Sequence, residues 1–154
     1  MKNGRKQHSG RNTGLRPAHA AFVLGLLLSF LAAACASNKV AESLSEAFKQ
    51  YETIVRWSQW DAAADFIAPE YLVDNPITRL DMDRLRLFRV TAYTIRSTGI
   101  YDEGMTSRQT VEIKMFNKNK GVERTIIDDQ EWRYNEESQR WLLHSGLPDP
   151  TQRY

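Results

Sequence analysis

Few residues in this chain have a type and spacing that could do chemistry. One cysteine, Cys35, follows Leu31-Ala32-Ala33-Ala34, and there is no second one to pair with it. Its thiol can be a nucleophile or an attachment point, but not half of an intramolecular disulfide. One histidine, His144, lies beyond it. Asp128-Asp129 is the polar pair inside an otherwise strand-like run. If the alternation through Ile126 continues to Trp132, Asp128 and Gln130 share the inward face. An inward carboxylate could serve as a general base. A bulge, or a strand leaving the core, would instead leave both acids solvated. Trp57, Trp60, Tyr93, Trp132 and Trp141 could line an apolar pocket beside Asp128 and Gln130, or simply fill a core. The chain has no His-x-x-x-His, Cys-x-x-Cys, glycine-rich phosphate loop or nucleophile elbow. No catalytic set, metal site or cofactor is therefore expected.

The segment ahead of Cys35 carries Lys2, Arg5, Lys6, Arg11 and Arg16 and no acid. An apolar run from Ala20 to Leu31 follows. About a dozen apolar residues suit the core of a signal peptide better than a spanning helix, which needs roughly 20. Counting through Ala36 lengthens the run, which leaves a plain membrane anchor open. Ordinary processing is open too. A cut before Cys35 would leave a free thiol, and a cut after Ala36 would discard the cysteine.

Leu31-Ala32-Ala33-Ala34-Cys35 resembles the lipobox of bacterial lipoprotein precursors. It departs from the commonest form, since Ala32 holds the −3 position and the leucine sits one place earlier. The resemblance implies a signal peptide over residues 1–34. It implies that Cys35 takes a diacylglyceryl group and an amide-linked fatty acid, with 35–39 as lipidated terminus and spacer. Several acyl chains anchor far more firmly than one. Ala36 at +2 is not the aspartate that resembles an inner-membrane retention signal, so the outer membrane is expected, facing the periplasm. The inner membrane, periplasmic side, is the alternative.

Five of the 21 basic residues and none of the 19 acidic ones precede Cys35, so the remainder carries 16 bases against 19 acids. The basic character of the whole chain belongs to the targeting segment and is not a nucleic-acid footprint. Arg79, Arg84, Arg86 and Arg89 alternate with Asp81 and Asp83, as on a solvated helix face.

Residues 40–154 are long enough for one domain with one core. Val40, Leu44, Ala47, Phe48, Tyr51, Ile54 and Val55 recur at three- and four-residue spacing, the buried stripe of an amphipathic helix. Three stretches have the form of a helix start: Ser43 to Glu46, Ser58 to Asp61 and Thr78 to Asp81. A second helix is expected over Gln59 to Ile67, stopped by Pro69. A loop over Pro69 to Pro76 and a third helix through about Leu85 should follow. The period then changes to two. Strands are expected from Phe88 to Ile95 (with a plausible bulge), Gln109 to Phe116, Val122 to Tyr134 and Arg140 to Ser145, separated by turns. An even-length last turn centred between Glu136 and Glu137 would set Trp132 opposite Trp141 and Asp129 opposite His144.

Helices first and strands after give an α+β class, with N-terminal helices packed on a four-stranded antiparallel meander. This element order resembles the NTF2-like or cystatin-like folds, which host isomerases, dehydratases, binding modules and assembly factors. No convincing hairpin between the second and third helices is seen. NTF2-like isomerases resemble an inward Asp128 in using a carboxylate base. The expected function is a membrane-anchored, non-catalytic domain acting through a protein or cell-envelope partner, with an unidentified envelope protein as one candidate. The alternative is a small apolar-ligand binder or isomerase-like enzyme.

Overall fold

The structure, a computed structural model, describes residues 39–152. Cys35, the lipobox-like stretch and the expected signal peptide lie outside the described residues. Helix α1 runs through residues 39–56. It is followed by α2 (Trp60–Ala64), α3 (Pro69–Asp74) and α4 (Arg79–Arg86). The strands are β1 (Phe88–Tyr101), β2 (Thr106–Asn117), β3 (Val122–Asn135) and β4 (Arg140–Leu143). They form one antiparallel sheet in the order β1-β2-β3-β4. The class is α+β, helices followed by a four-stranded meander. No described helix is long and apolar enough to cross a membrane.

The stripe of α1 forms as its spacing requires. Leu44, Tyr51 and Val55 are buried, and Val40, Ala47, Phe48 and Ile54 pack against the same core. From the sheet, Val111, Ile113 and Met115 of β2 and Ile126, Asp128, Gln130 and Trp132 of β3 turn inward to meet it. The indole of Trp141 ties the helix start to β4, its Nε1 lying 3.2 Å from both the Val40 carbonyl and Ser43 Oγ.

Of the three helix-start patterns, only Thr78 to Asp81 closes as a capping box. Ser43 sits inside α1, where its hydroxyl donates to the Val40 carbonyl at 2.8 Å. Ser58 takes φ 55° in the turn after α1, and its Oγ accepts from the Val90 amide at 2.9 Å. It ties the helix end to β1 instead of starting α2. That helix is shorter than expected, ending at Ala64. A turn at Asp65 and Phe66 leads from it into Ile67 and Ala68. Ile67 bridges in parallel to Leu143, and the Leu143 amide donates to the Phe66 carbonyl at 2.7 Å. This segment covers the open edge of β4, which would otherwise present unpaired backbone groups. Pro69 does not open a loop but occupies the first turn of α3, where its missing N–H costs no hydrogen bond. Leu80 of α4 is 62 % exposed, and the core side of that helix is carried by buried Leu85 with partly buried Met82 beside it.

Strand β1 runs six residues beyond the expected end and breaks register twice, between Val90 and Ala92 and between Ile95 and Ser97. The first irregularity resets the inward side from Val90 to Tyr93, which explains the mixed alternation.

The last hairpin differs from the expected register by two residues. Asn135 pairs with Arg140, Tyr134 with Trp141 and Trp132 with Leu143. Trp132 and Trp141 thus share a face diagonally instead of lying opposite each other. Trp141 packs against Tyr134 instead, ring centroids 5.5 Å apart and the planes tilted by 58°. Asp129 is exposed on the outer face, where it accepts from Thr110 at 2.7 Å, and the His144 amide pairs with the Glu131 carbonyl. The cause is the turn. Asn135 Oδ1 accepts from the Ser138 amide at 2.8 Å and its hydroxyl at 2.9 Å. Gln139 takes φ 52° to return the chain. This side-chain cap favours the four-residue loop. Asn135→Ala should lower stability by about 1 kcal/mol, read from the denaturant midpoint. An unchanged midpoint would show that the turn closes without it.

Candidate functional site

The inward residues of β3 and β1 form a buried polar chain. Gln130 is its centre: Nε2 donates to Asp128 Oδ2 at 2.7 Å and to the Tyr93 hydroxyl at 3.1 Å. Its Oε1 accepts from Trp132 Nε1 at 3.1 Å. Both amide hydrogens are used and the carbonyl is occupied, so the orientation of Gln130 follows from its neighbours. Strand alternation supplies positions 128, 130 and 132, and the β1 register break supplies Tyr93.

Tyr51 meets this chain from α1. Its hydroxyl is fully buried and, among the described residues, has no hydrogen-bond partner, a property shared by Trp60 Nε1. Burial, then the Asp128 carboxylate and Tyr93, holds the Tyr51 hydroxyl well above the ordinary phenol range. Tyr93 is pushed up as well, by burial above all, with Gln130 acting the other way. Burial raises the Asp128 carboxyl to about 6, against the downward pull of the Gln130 hydrogen bond. A buried carboxylic acid carrying its proton is the cheaper form in a poorly solvated setting.

Four of the six residues singled out as pocket candidates therefore come together: Tyr93, Asp128, Gln130 and Trp132. Trp60, 2 % exposed, belongs to the same core cluster but is not hydrogen-bonded into this chain. Trp57 is 75 % exposed beyond the end of α1 and points away. Helix α1 ends before it, so Trp60 opens a separate helix and is buried there, while Trp57 receives no cover. Tyr51 was legible as core but not as a neighbour of the polar chain. Only its place on the inward stripe hinted at it.

The inner face is largely closed by rings. Trp132 meets Phe48, Tyr51 and Phe66 edge-on, with centroids 5.5, 5.1 and 6.0 Å away. Open space lies to one side, in a cleft of about 770 Å³ between α3, α4 and the chain after β4. Asp128 reaches its wall, with Tyr71, Ile77, Arg84, Leu85 and Leu147 among the other lining residues. Asp81 there is held below the usual carboxylate range by its hydrogen bonds to Thr78.

His144 stands apart from this chain. Its ring lies 3.5 Å from Glu70, and burial, then Arg133, depresses its pKa. Among the described residues no group of three His, Cys, Asp or Glu side chains could hold a metal ion. Comparison with protein-family models, with curated proteins and with solved structures gives no match.

Proposed function

We propose that this chain is a lipid-anchored protein of the bacterial envelope whose α+β domain faces the periplasm and works by binding an envelope partner, without catalysis of its own. The observation that carries the binding role is the filling of the inner face. The space where an NTF2-like fold would hold a substrate is occupied by Trp132 and the three rings packed on it. The anchor is supported by the sequence: a basic stretch, a short apolar run, small residues and a lone cysteine. Intact mass of the protein purified from membranes should show a chain beginning at Cys35 with acyl groups added. Cys35→Ser should leave an uncut or soluble protein. A mature chain without acyl mass would end the lipoprotein reading. Fractionation should place the protein with the outer membrane, and recovery with the inner membrane would assign it to that surface instead.

One observation favours a second reading, a binder of small apolar ligands or an isomerase-like enzyme. Asp128, with its carboxyl pushed up to about 6, stands at the wall of the cleft. A carboxylate tuned toward neutral pH is suited to proton abstraction. Native mass spectrometry of the purified protein tests it. A small-molecule adduct lost in Asp128→Asn would favour this reading, and a bare chain in both proteins would count against it.

A further inference from the structure

We infer that the mature protein stands on the membrane by the β3–β4 end of its sheet, with residues 136–139 apposed to the lipid headgroups and the β2–β3 turn held away from them. This rests on the lipid-anchor reading of Cys35. Three residues, Ala36, Ser37 and Asn38, separate that cysteine from Lys39. Four residue steps at no more than about 3.6 Å each reach about 14 Å, whatever their conformation. The start of α1 therefore cannot leave the headgroup region. That start is not free to swing, because the Trp141 indole holds the Val40 carbonyl and Ser43 Oγ, each at 3.2 Å. Trp141 itself is buried and pairs with Tyr134 one residue before the end of β3. Whatever constrains residue 39 thus constrains the last hairpin.

The same surface chemistry argues against the domain lying flat. The exposed side of α1 carries Glu42, Ser45, Glu46, Lys49, Gln50 and Thr53, with no large apolar side chain. A helix resting in the interface needs an apolar face to bury. Near the anchor Glu42 and Glu46 outnumber Lys39, so that end of the helix face carries a net negative charge that anionic lipids repel. The outer sheet face carries ion pairs of mixed sign, Arg96 with Glu112 and Arg108 and Arg133 with Glu131. Strand β3 is 14 residues long, so its two ends are separated by about 45 Å along the strand. The turn after Asn117 is then the membrane-distal tip.

The test uses the full chain, expressed, processed and reconstituted in vesicles of phosphatidylethanolamine and phosphatidylglycerol containing a nickel-chelating lipid. Because lipid occupies Cys35, a single added cysteine can carry a spin label. Glu137→Cys and Asn119→Cys both alter exposed side chains without hydrogen bonds of their own. Relaxation by the headgroup nickel should be several-fold stronger at position 137 than at position 119. Equal relaxation, or a stronger effect at 119, overturns the orientation. Inserting a Gly-Ser linker of about ten residues after Ala36, worth roughly 17 Å of root-mean-square reach, should narrow the difference. A difference that persists in full would overturn the tether as its cause. Intact mass on the same sample separates the two levels. An acylated chain with equal relaxation sinks the orientation alone, whereas a chain without acyl mass sinks the anchor and the orientation with it.

Discussion

Trp132→Ala should destabilise the domain by about 3–5 kcal/mol, the upper part of that range being expected here. The ring is fully buried at the place where α1, β3 and the segment after α2 converge. Three aromatic neighbours meet it edge-on, and each such pair is worth about 0.5–1.5 kcal/mol beyond area burial. Truncation also removes the Nε1 donor that satisfies Gln130 Oε1, which would be left in an apolar hole. The surroundings belong to a helix and a central strand, so they can collapse only a little into the space. With total stability of about 5–15 kcal/mol for a domain, the variant should be partly unfolded or melt far below wild type. Trp132→Phe, which keeps a ring but not the donor, should fall between the two. A Trp132→Ala protein melting like wild type would show that the four rings do not hold the helix to the sheet.

That cluster was half legible in the sequence. The α1 stripe and the alternation of β2 were readable because periodicity and burial coincide there. Both elements are regular, and each buries one face. Asp128 and Gln130 were placed inward by continuing that alternation, and β3 does run without a break through both. Phe66 was not placed. It lies in an irregular segment after a short helix, and what turns it inward is pairing with Leu143, a residue 77 positions later in the chain. Local pattern carries no trace of such a contact.

The helix-start motifs show the same limit from the other side. Three Ser/Thr-x-x-Asp/Glu stretches look alike, yet only Thr78 caps a helix. A hydroxyl can accept from its own helix or from elsewhere, and Ser58 accepts from the Val90 amide in β1. Ser43 lies within a helix already under way, and its hydroxyl bonds backward to Val40. The last register was missed for a kindred reason. Face assignment depends on parity, which a two-residue shift preserves, so Trp132 and Trp141 were put on the correct face. Pairing depends on where the turn is centred, and the Asn135 side-chain oxygen, by holding Ser138, centres it between Glu137 and Ser138. Capping choices of this kind are made by geometry that a one-dimensional pattern does not contain.

Asp128→Asn should stabilise the domain at neutral pH and remove part of its pH dependence. In the folded protein burial lifts the Asp128 carboxyl from the ordinary 3.8 to about 6. The folded state therefore holds the proton more tightly than the unfolded chain does. Below pH 3.8 both states are protonated and the group carries no penalty. As pH rises from there to about 6, the unfolded chain releases its proton first, so stability falls. Above that window both states are ionised and the full penalty remains, about 3 kcal/mol at roughly 1.4 kcal/mol per pKa unit. Other groups slope the opposite way. Glu131 is held low by its hydrogen bond to Arg133 and Asp81 by Thr78, so each loses stability as pH falls. The Asp128 contribution is therefore isolated as the difference between wild type and Asp128→Asn. The amide oxygen of asparagine can still accept from Gln130 Nε2, and the side chain has no charge to bury. Denaturant unfolding should show the variant ahead by as much as about 3 kcal/mol above pH 6, with the lead shrinking toward zero near pH 4. A difference that is flat across this range would mean that Asp128 ionises as freely as in water, and the buried chain through Gln130 would lose its electrostatic meaning. The predicted slope would instead show that a costly charge is held in the core at neutral pH. Packing does not require it, so its presence at the cleft wall would strengthen the ligand-binding reading of that side of the molecule.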